Sequence, residues 1–117
     1  MVLGVDYYPE QWPEAMMEAD LQRIVELGCN VIRIGEFAWH RMEPREGIYD
    51  FSFFDRVIAM AKRMGLRVIF GTPTATPPAW LIHKHPDILS QFETGAPRAF
   101  GGRHVYCFSS TIYRSYS

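Results

Sequence analysis

The sequence predicts an α/β fold in which buried parallel strands alternate with amphipathic helices. Short apolar runs, typical of buried strands, alternate with segments whose apolar residues recur every three or four positions. The pattern Gly-x-x-Val-Ile follows a predicted helix twice, at 28–32 and at 65–69. Strands that alternate with helices usually pair in parallel through right-handed crossovers. The chain therefore repeats one unit, in which a helix is followed by a glycine and a buried strand.

The first repeat begins with an apolar run over 2–8, which predicts a buried strand. Pro13 and Glu14 predict the start of a helix, because proline and acidic residues are favoured in the first turn. One apolar stripe of this helix comprises Met17, Leu21, Ile24 and Val25. Gly28 is predicted to end the helix, and residues 31–34 then form the second strand.

The second repeat has the same order of elements. Residues 52–55, Ser-Phe-Phe-Asp, look like a capping box and predict a helix start. The apolar stripe of this helix comprises Phe54, Val57, Ile58, Ala61 and Met64. Gly65 is predicted to end it, and residues 66–70 form the third strand. Residues 110–117 predict the start of a third helix.

The connections that lead from strand to helix are long, whereas those from helix to strand are short. The second runs over 35–51 and the third over 71–111, the latter about forty residues, which is unusual for a compact domain. In a (β/α)8 TIM barrel the loops after the strands build the active site and are often enlarged. Three strands, two full helices and the start of a third make under half of such a barrel of about 250 residues. We therefore expect residues 1–117 to be the amino-terminal part of a catalytic TIM-barrel domain, incomplete and truncated before the fourth strand.

Composition and charge argue against several classes of protein. The 117 residues carry 12 Lys and Arg against 13 Asp and Glu, a net charge of −1 that provides no basic surface for nucleic acid or for an anionic membrane. No apolar run reaches the roughly 18 residues that span a bilayer, and the first residues do not resemble a secretory signal. Two cysteines cannot make a disulfide framework. We expect a cytoplasmic protein with no nucleic-acid or membrane partner.

Asp6 and Glu36 are the candidate carboxylates, since each lies at or just past the end of a predicted strand. Hydrolysis of a glycosidic bond uses two carboxyl groups that flank the bond. Both residues are equally suited to holding loops through hydrogen bonds. Aromatic residues, which suit the stacking of sugars or the packing of a barrel mouth, cluster near the strand ends. They are Tyr7, Tyr8, Trp12, Phe37, Trp39 and Trp80.

Arg103 and Cys107 lie four residues apart in the third loop. A guanidinium suits paired hydrogen bonds to hydroxyls or carboxylates, although a loop arginine is as readily solvated or ion-paired. A cysteine can bind zinc, but a zinc site needs three further ligands and the chain has no cysteine cluster. The sequence contains no Walker loop, no G-x-G-x-x-G and no H-E-x-x-H, so nucleotide binding and zinc proteolysis have no support.

A series of motifs spans nearly the whole chain. They are Gly-Val-Asp-Tyr-Tyr-Pro-Glu-Gln-Trp at 4–12, Ile-Gly-Glu-Phe-Ala-Trp at 34–39, Glu43-Pro44 with Gly-Ile-Tyr-Asp-Phe at 47–51, Gly-Thr-Pro-Thr-Ala-Thr-Pro-Pro-Ala-Trp-Leu at 71–81 and His-Pro-Asp-Ile-Leu at 85–89. Together they resemble the amino-terminal region of the glycoside hydrolase family 42 β-galactosidases. The resemblance implies a retaining enzyme that hydrolyses terminal β-D-galactose from small galactosides, without an organic cofactor. It also implies a full-length homo-oligomer, a trimer.

The resemblance assigns roles to several residues of this chain. Arg103 matches the family arginine that hydrogen-bonds galactose, and Cys107 matches the first cysteine of a structural zinc site whose other cysteines would lie beyond residue 117. The family's general acid is the Glu of an Asn-Glu pair, whereas Asn30, the sole asparagine, precedes a valine. The resemblance thus implies no catalytic residue in this chain, which we expect to be inactive alone. It leaves Asp6, Glu36 and Trp39 to support the barrel mouth.

Three alternatives remain open on the sequence. The first is a non-catalytic sugar-binding module that uses Arg103 and the aromatic loops. The chain also suits a structural role in which it completes a barrel with a second polypeptide. A fragment of another barrel glycosidase family is the alternative nearest to the resemblance.

Overall fold

The computed structural model describes residues 1–102 and 104–117, which divide into two compact units. The sheet unit comprises Met1–Gly35 and Asp50–Thr72. The loop unit comprises Glu36–Tyr49 and Pro73–Ser117. Each unit is therefore built from two separate stretches of chain. The strands are β1 (Gly4–Asp6), β2 (Val31–Ile34) and β3 (Arg67–Phe70); the α-helices are α1 (Met17–Glu26), α2 (Trp39–Met42), α3 (Ser52–Arg63), α4 (Ala79–Lys84) and α5 (Thr111–Tyr116).

The sheet unit contains the predicted parallel sheet, with the strands in the order β1-β2-β3. β2 has its predicted bounds, whereas β1 is shorter than the apolar run over 2–8 because its pairing with β2 covers 4–6 alone. In the register, Val5 pairs with Ile32, and Ile32 pairs with Val68. Consecutive strands are joined through helices, as the alternating pattern predicts.

Helices α1 and α3 lie on one face of the sheet and contact each other. On this face Ile32 and Ile34 of β2 are fully buried. Phe54 of α3, also buried, packs edge-on against Phe70 of β3 at a centroid distance of 5.3 Å. The predicted stripe of α1 is confirmed at three positions, since Met17, Leu21 and Ile24 are buried.

The opposite face of the sheet carries an exposed side chain from each of the three strands. Asp6, Arg33 and Ile69 align across the three strands and point to one face, because register partners share a side of the sheet. Ile69 is 55% exposed and Arg33 is exposed as well. In a barrel, this would be the inner face.

The start of α3 differs from the prediction. Ser52 is the first helical residue, the preceding Phe51 takes the cap position, and no side chain caps the helix from there. Asp50 instead accepts a hydrogen bond from the Ser52 amide at 2.9 Å. The capping-box prediction at 52–55 is therefore wrong, because the chain enters the helix one residue early. Within the helix, Phe53 is buried and Ile58, predicted for the apolar stripe, is 36% exposed.

The loop unit has a core of its own, made by large side chains from several segments. They are Trp39, Leu81, Ile88, Tyr106 and Tyr113. The rings of the two tyrosines stack at a centroid distance of 4.1 Å. The long predicted connection over 71–111 thus contains α4 and a 3₁₀ turn on either side of it, Pro73–Ala75 and Pro86–Ile88. The predicted helix start at Ser110 is confirmed, since its Oγ accepts from the Tyr113 amide at 3.2 Å.

Candidate functional site

Asp6 closes β1, and its side chain lies on the face of the sheet opposite α1 and α3. A surface cavity of about 250 Å³ opens there, lined by Gly4, Val5, Asp6, Val31, Arg33 and Ile69. The register sets Asp6 beside Arg33 on the adjacent strand. A carboxylate and a guanidinium at the carboxyl ends of parallel strands are positioned as ligand-binding groups usually are in α/β proteins. The support role of Asp6 stays a prediction, and the structure gives only its position at the end of β1.

Glu36 follows β2 by two residues and belongs to the loop unit, whereas Asp6 belongs to the sheet unit. Its side chain is only 6% exposed, which is rare for a glutamate. The preceding Gly35 has a φ of +93°, so the chain turns sharply as it leaves the strand. This burial makes Glu36 a fixed group rather than a solvated one.

Trp39 opens α2 and is buried, with 5% of its surface exposed. Its indole Nε1 donates to Oε2 of Glu43 at 2.7 Å, one helical turn further on. The other carboxylate oxygen, Oε1, accepts from the Gly47 amide at 2.8 Å. The main-chain oxygen of Glu43 accepts from Nε1 of Trp80 at 2.9 Å. The structure thus places Trp39 in the core of the loop unit, where it supports the fold rather than offering a free face to a ligand.

Glu43 is the residue that the sequence reasoning did not single out. It is buried, with 6% exposure, and it joins α2, the turn before residue 48 and α4 through the three bonds above. The Trp-x-x-x-Glu spacing at 39–43 was the available signal, because residues four apart share a helix face. In the sequence, Glu43 drew attention only as a member of the Glu43-Pro44 motif.

An exposed polar cluster links the two parts of the loop unit. Lys84 Nζ lies 2.7 Å from both carboxylate oxygens of Glu46, and the Tyr116 hydroxyl donates to Glu46 Oε1 at 2.9 Å. The hydrogen bonds from Lys84 and then from Tyr116 hold the pKa of the Glu46 carboxyl below its usual range. The cluster attaches the end of α5 to α4 and to the turn at residue 46.

Tyr7 directly follows β1 and is buried. Its hydroxyl lies 3.5 Å from Oδ2 of Asp20 on α1. Burial, followed by the negative charge of Asp20, raises the pKa of Tyr7 to about 12. The phenol therefore stays protonated at neutral pH, and it serves as a donor rather than as a general base.

Arg103, the predicted galactose contact, lies outside the described residues. Cys107 is half-buried and free; its amide donates to the Ile88 oxygen at 2.7 Å. Within 1–102 and 104–117, no three His, Cys, Asp or Glu side chains come together in a way that would hold a metal ion. A thiol with no companion ligands does not make a zinc site by itself. The zinc prediction for Cys107 therefore rests on the resemblance alone.

The part of the chain that the structure describes contains no helix both long and apolar enough to cross a bilayer.

Comparison with known proteins identifies the family. The family model described as beta-galactosidase, glycoside hydrolase family 42, matches residues 6–117. A beta-galactosidase of Thermus thermophilus is 49% identical over 113 residues, which are 97% of this chain and 18% of that protein. Beta-galactosidase BgaH of Haloferax lucentense is 42% identical over 115 residues, which are 98% of this chain and 17% of that protein.

Comparison with solved structures indicates the same family. The beta-galactosidase of the psychrophilic Marinomonas ef1 superposes with a TM-score of 0.89 at 43% identity, over 99% of this chain and 18% of that one. The cold-adapted enzyme of Rahnella sp. R3 superposes with a TM-score of 0.90 at 36% identity, over 99% of this chain and 17% of that one. The chain thus spans less than a fifth of the length of these relatives. The three parallel strands are part of a TIM barrel, and the chain belongs to the glycoside hydrolase family 42 β-galactosidases.

Proposed function

We propose that this chain supplies the first three strands of the catalytic barrel of a retaining β-galactosidase, which releases terminal β-D-galactose from galactosides. The family match over residues 6–117, with 49% identity to the Thermus thermophilus enzyme, carries the proposal. The three-stranded parallel sheet, with enlarged segments after β2 and β3, supports it, since barrel enzymes build their sites from such segments.

The chain's own residues would bind and shape the site rather than perform the chemistry. Arg103 would donate hydrogen bonds to galactose hydroxyls, and Asp6, Glu36 and Trp39 would support the barrel mouth. The two catalytic glutamates would come from the part of the protein beyond residue 117. In a retaining enzyme they lie roughly 5–5.5 Å apart; one attacks the anomeric carbon, and the other protonates the departing oxygen and then activates water.

The test compares the 117-residue chain with a fusion of this chain to the remaining part of the Thermus thermophilus relative. The fusion should hydrolyse an aryl β-galactoside, and the chain alone should not.

Arg103→Ala in the fusion should lower kcat/KM by roughly 100-fold, about 3 kcal/mol of transition-state binding, with Arg114→Ala as the control. Turnover by the chain alone that Glu36→Gln abolishes would overturn the proposal.

For the whole protein we further propose a homotrimer that is located in the cytoplasm. We also propose that it uses no organic cofactor and binds a structural zinc ion with Cys107 as one of the ligands. The two free cysteines support a reducing compartment. Light scattering of the complete protein tests the trimer, and its zinc content tests the structural zinc. A complete protein that is monomeric would contradict the trimer, and one without bound zinc would contradict the zinc site.

A further inference from the structure

Residues 90–98 form a β-hairpin at the surface of the loop unit. Gln91 bridges to Pro97 in antiparallel fashion, and the Phe92 amide donates to the Ala96 oxygen at 2.9 Å. The Gly95 amide donates to the Phe92 oxygen at 2.9 Å, and Gly95 has a φ of +82°. A left-handed glycine after a tight turn is a common way to close a short hairpin. The hairpin therefore holds its side chains in a defined arrangement.

Phe92 stands out from this hairpin with 51% of its surface exposed. The guanidinium carbon of Arg98 lies over its ring, 4.8 Å from the centroid. A cation over the ring limits the ring's rotation and covers one face, by an attraction of about 0.5–1 kcal/mol at an exposed site. The hairpin thus presents a positioned aromatic ring to solvent.

Phe92 is one of the residues that line an open surface cavity of about 420 Å³. The cavity is lined by Gln91, Phe92, Glu93, Thr94 and Arg98. The side chains of Gln91, Glu93 and Thr94 are exposed on this hairpin. An amide, a carboxylate and a hydroxyl are therefore available to a ligand, and the charges of Glu93 and Arg98 offset each other.

We propose that this hairpin cavity is a second sugar-binding site, which takes a pyranose in the form of a β-galactoside. The C–H face of the sugar would stack on the Phe92 ring, and its hydroxyls would bond to Gln91, Glu93 and Thr94. A neutral ligand with many hydroxyls fits a lining of one ring, several hydrogen-bonding groups and no net charge. The choice of a galactoside rests on the proposed function, whereas the preference for a neutral sugar rests on the cavity alone.

The experiment is a titration of the isotope-labelled 117-residue chain with methyl β-D-galactoside, followed by amide NMR shifts. Saturable shifts are expected at residues 91–98. Phe92→Ala should weaken this binding by about tenfold or more, the factor that corresponds to 1.4 kcal/mol. Phe100→Ala is the matched control, since Phe100 is 52% exposed and does not line the cavity. It should leave the affinity unchanged.

Three results would overturn the proposal: no saturable shift in the hairpin, equal affinity of the Phe92→Ala chain, or equal shifts with glycerol in place of the sugar. Arg103→Ala separates the two sites. Hairpin shifts that persist in this variant support a second site, whatever becomes of galactose binding by Arg103. Hairpin shifts that vanish with Arg103→Ala would assign the binding to the site of the proposed function and remove the second site.

Discussion

Individual buried polar groups give the loop unit much of its order, and Glu43 is the main example. Both of its carboxylate oxygens are occupied, by the Trp39 indole at 2.7 Å and by the Gly47 amide at 2.8 Å. Hydrogen bonds to a charged acceptor are stronger than neutral ones. A single side chain therefore holds a helix and a turn in register.

Glu43→Gln should lower the free energy of unfolding by about 1–3 kcal/mol, because one side of the amide is a donor and would face another donor. Urea denaturation measures the change. Glu46→Gln is the control, since Glu46 forms its bonds on the surface and its substitution should cost less than that of Glu43. Equal losses in the two variants would show that the buried carboxylate has no special role.

Tyr7 gives the chain a dependence on alkaline pH. Its pKa is about 12 in the folded chain, because burial and Asp20 disfavour the phenolate, against 10.0 as the ordinary value. The folded state thus keeps a proton that the unfolded state loses, so stability falls as the pH rises from about 10 to 12. Tyr7→Phe should remove roughly 2 kcal/mol of that fall, as followed by denaturation at each pH.

Tyr49→Phe, at a tyrosine that is 65% exposed, is the control for the loss of a hydroxyl group from the chain. If the Tyr7→Phe chain keeps the full slope, then Tyr7 is not the group responsible. Tyr113, whose pKa is also raised by burial, would then be tested by the same substitution.

At the scale of elements, the two repeats end their helices in the same way. Gly28 and Gly65 have φ values of +83° and +76°, and each precedes the strand that returns to the sheet. A β-carbon at Gly65 would meet no atom within 4 Å, so the demand on this position is conformational rather than steric. The left-handed backbone costs an ordinary L-residue about 1 kcal/mol.

Gly65→Ala should therefore lower the free energy of unfolding by about 1 kcal/mol, whereas Gly65→Asn should lose less, because asparagine tolerates this conformation. Chemical denaturation of the two variants side by side makes the comparison. An alanine variant as stable as the parent chain would contradict the argument.

Elements with strong periodicity were predictable from the sequence, and short ones were not. The stripe of α1 and the bounds of β2 follow directly from apolar spacing. Helices α2 and α4 have only 4 and 6 residues, too few to show a period, and their stability comes from the core around Trp39 and Leu81. For the candidate site, Asp6 and Glu36 were visible as strand-end residues, but the importance of Glu43 depends on contacts that no local pattern reveals.

At the scale of the whole molecule, β1 and β3 are the outer strands of the described sheet, and the face opposite α1 and α3 is exposed at several positions. Ile69 is 55% exposed on that face. Exposed apolar side chains such as Ile69 bind dyes that fluoresce in apolar surroundings. The chain alone should therefore enhance such a dye, and Ile69→Lys should reduce the signal. Leu27→Lys, at a residue that is 73% exposed at the end of α1, is the control. Equal signals from both variants would locate the dye elsewhere.

The shared core of the loop unit has a consequence for engineering and for evolution. Trp39 comes from the segment after β2, and Leu81, Tyr106 and Tyr113 come from the segment after β3, yet they pack as one cluster. Barrel enzymes are commonly altered by grafting one loop at a time from a homologue. In this protein, a graft of one segment alone would pack the core residues of the homologue against core residues of this chain with which they did not evolve. The two segments should therefore be exchanged together when a loop is engineered. Among homologues, core substitutions in one segment should be accompanied by compensating core substitutions in the other.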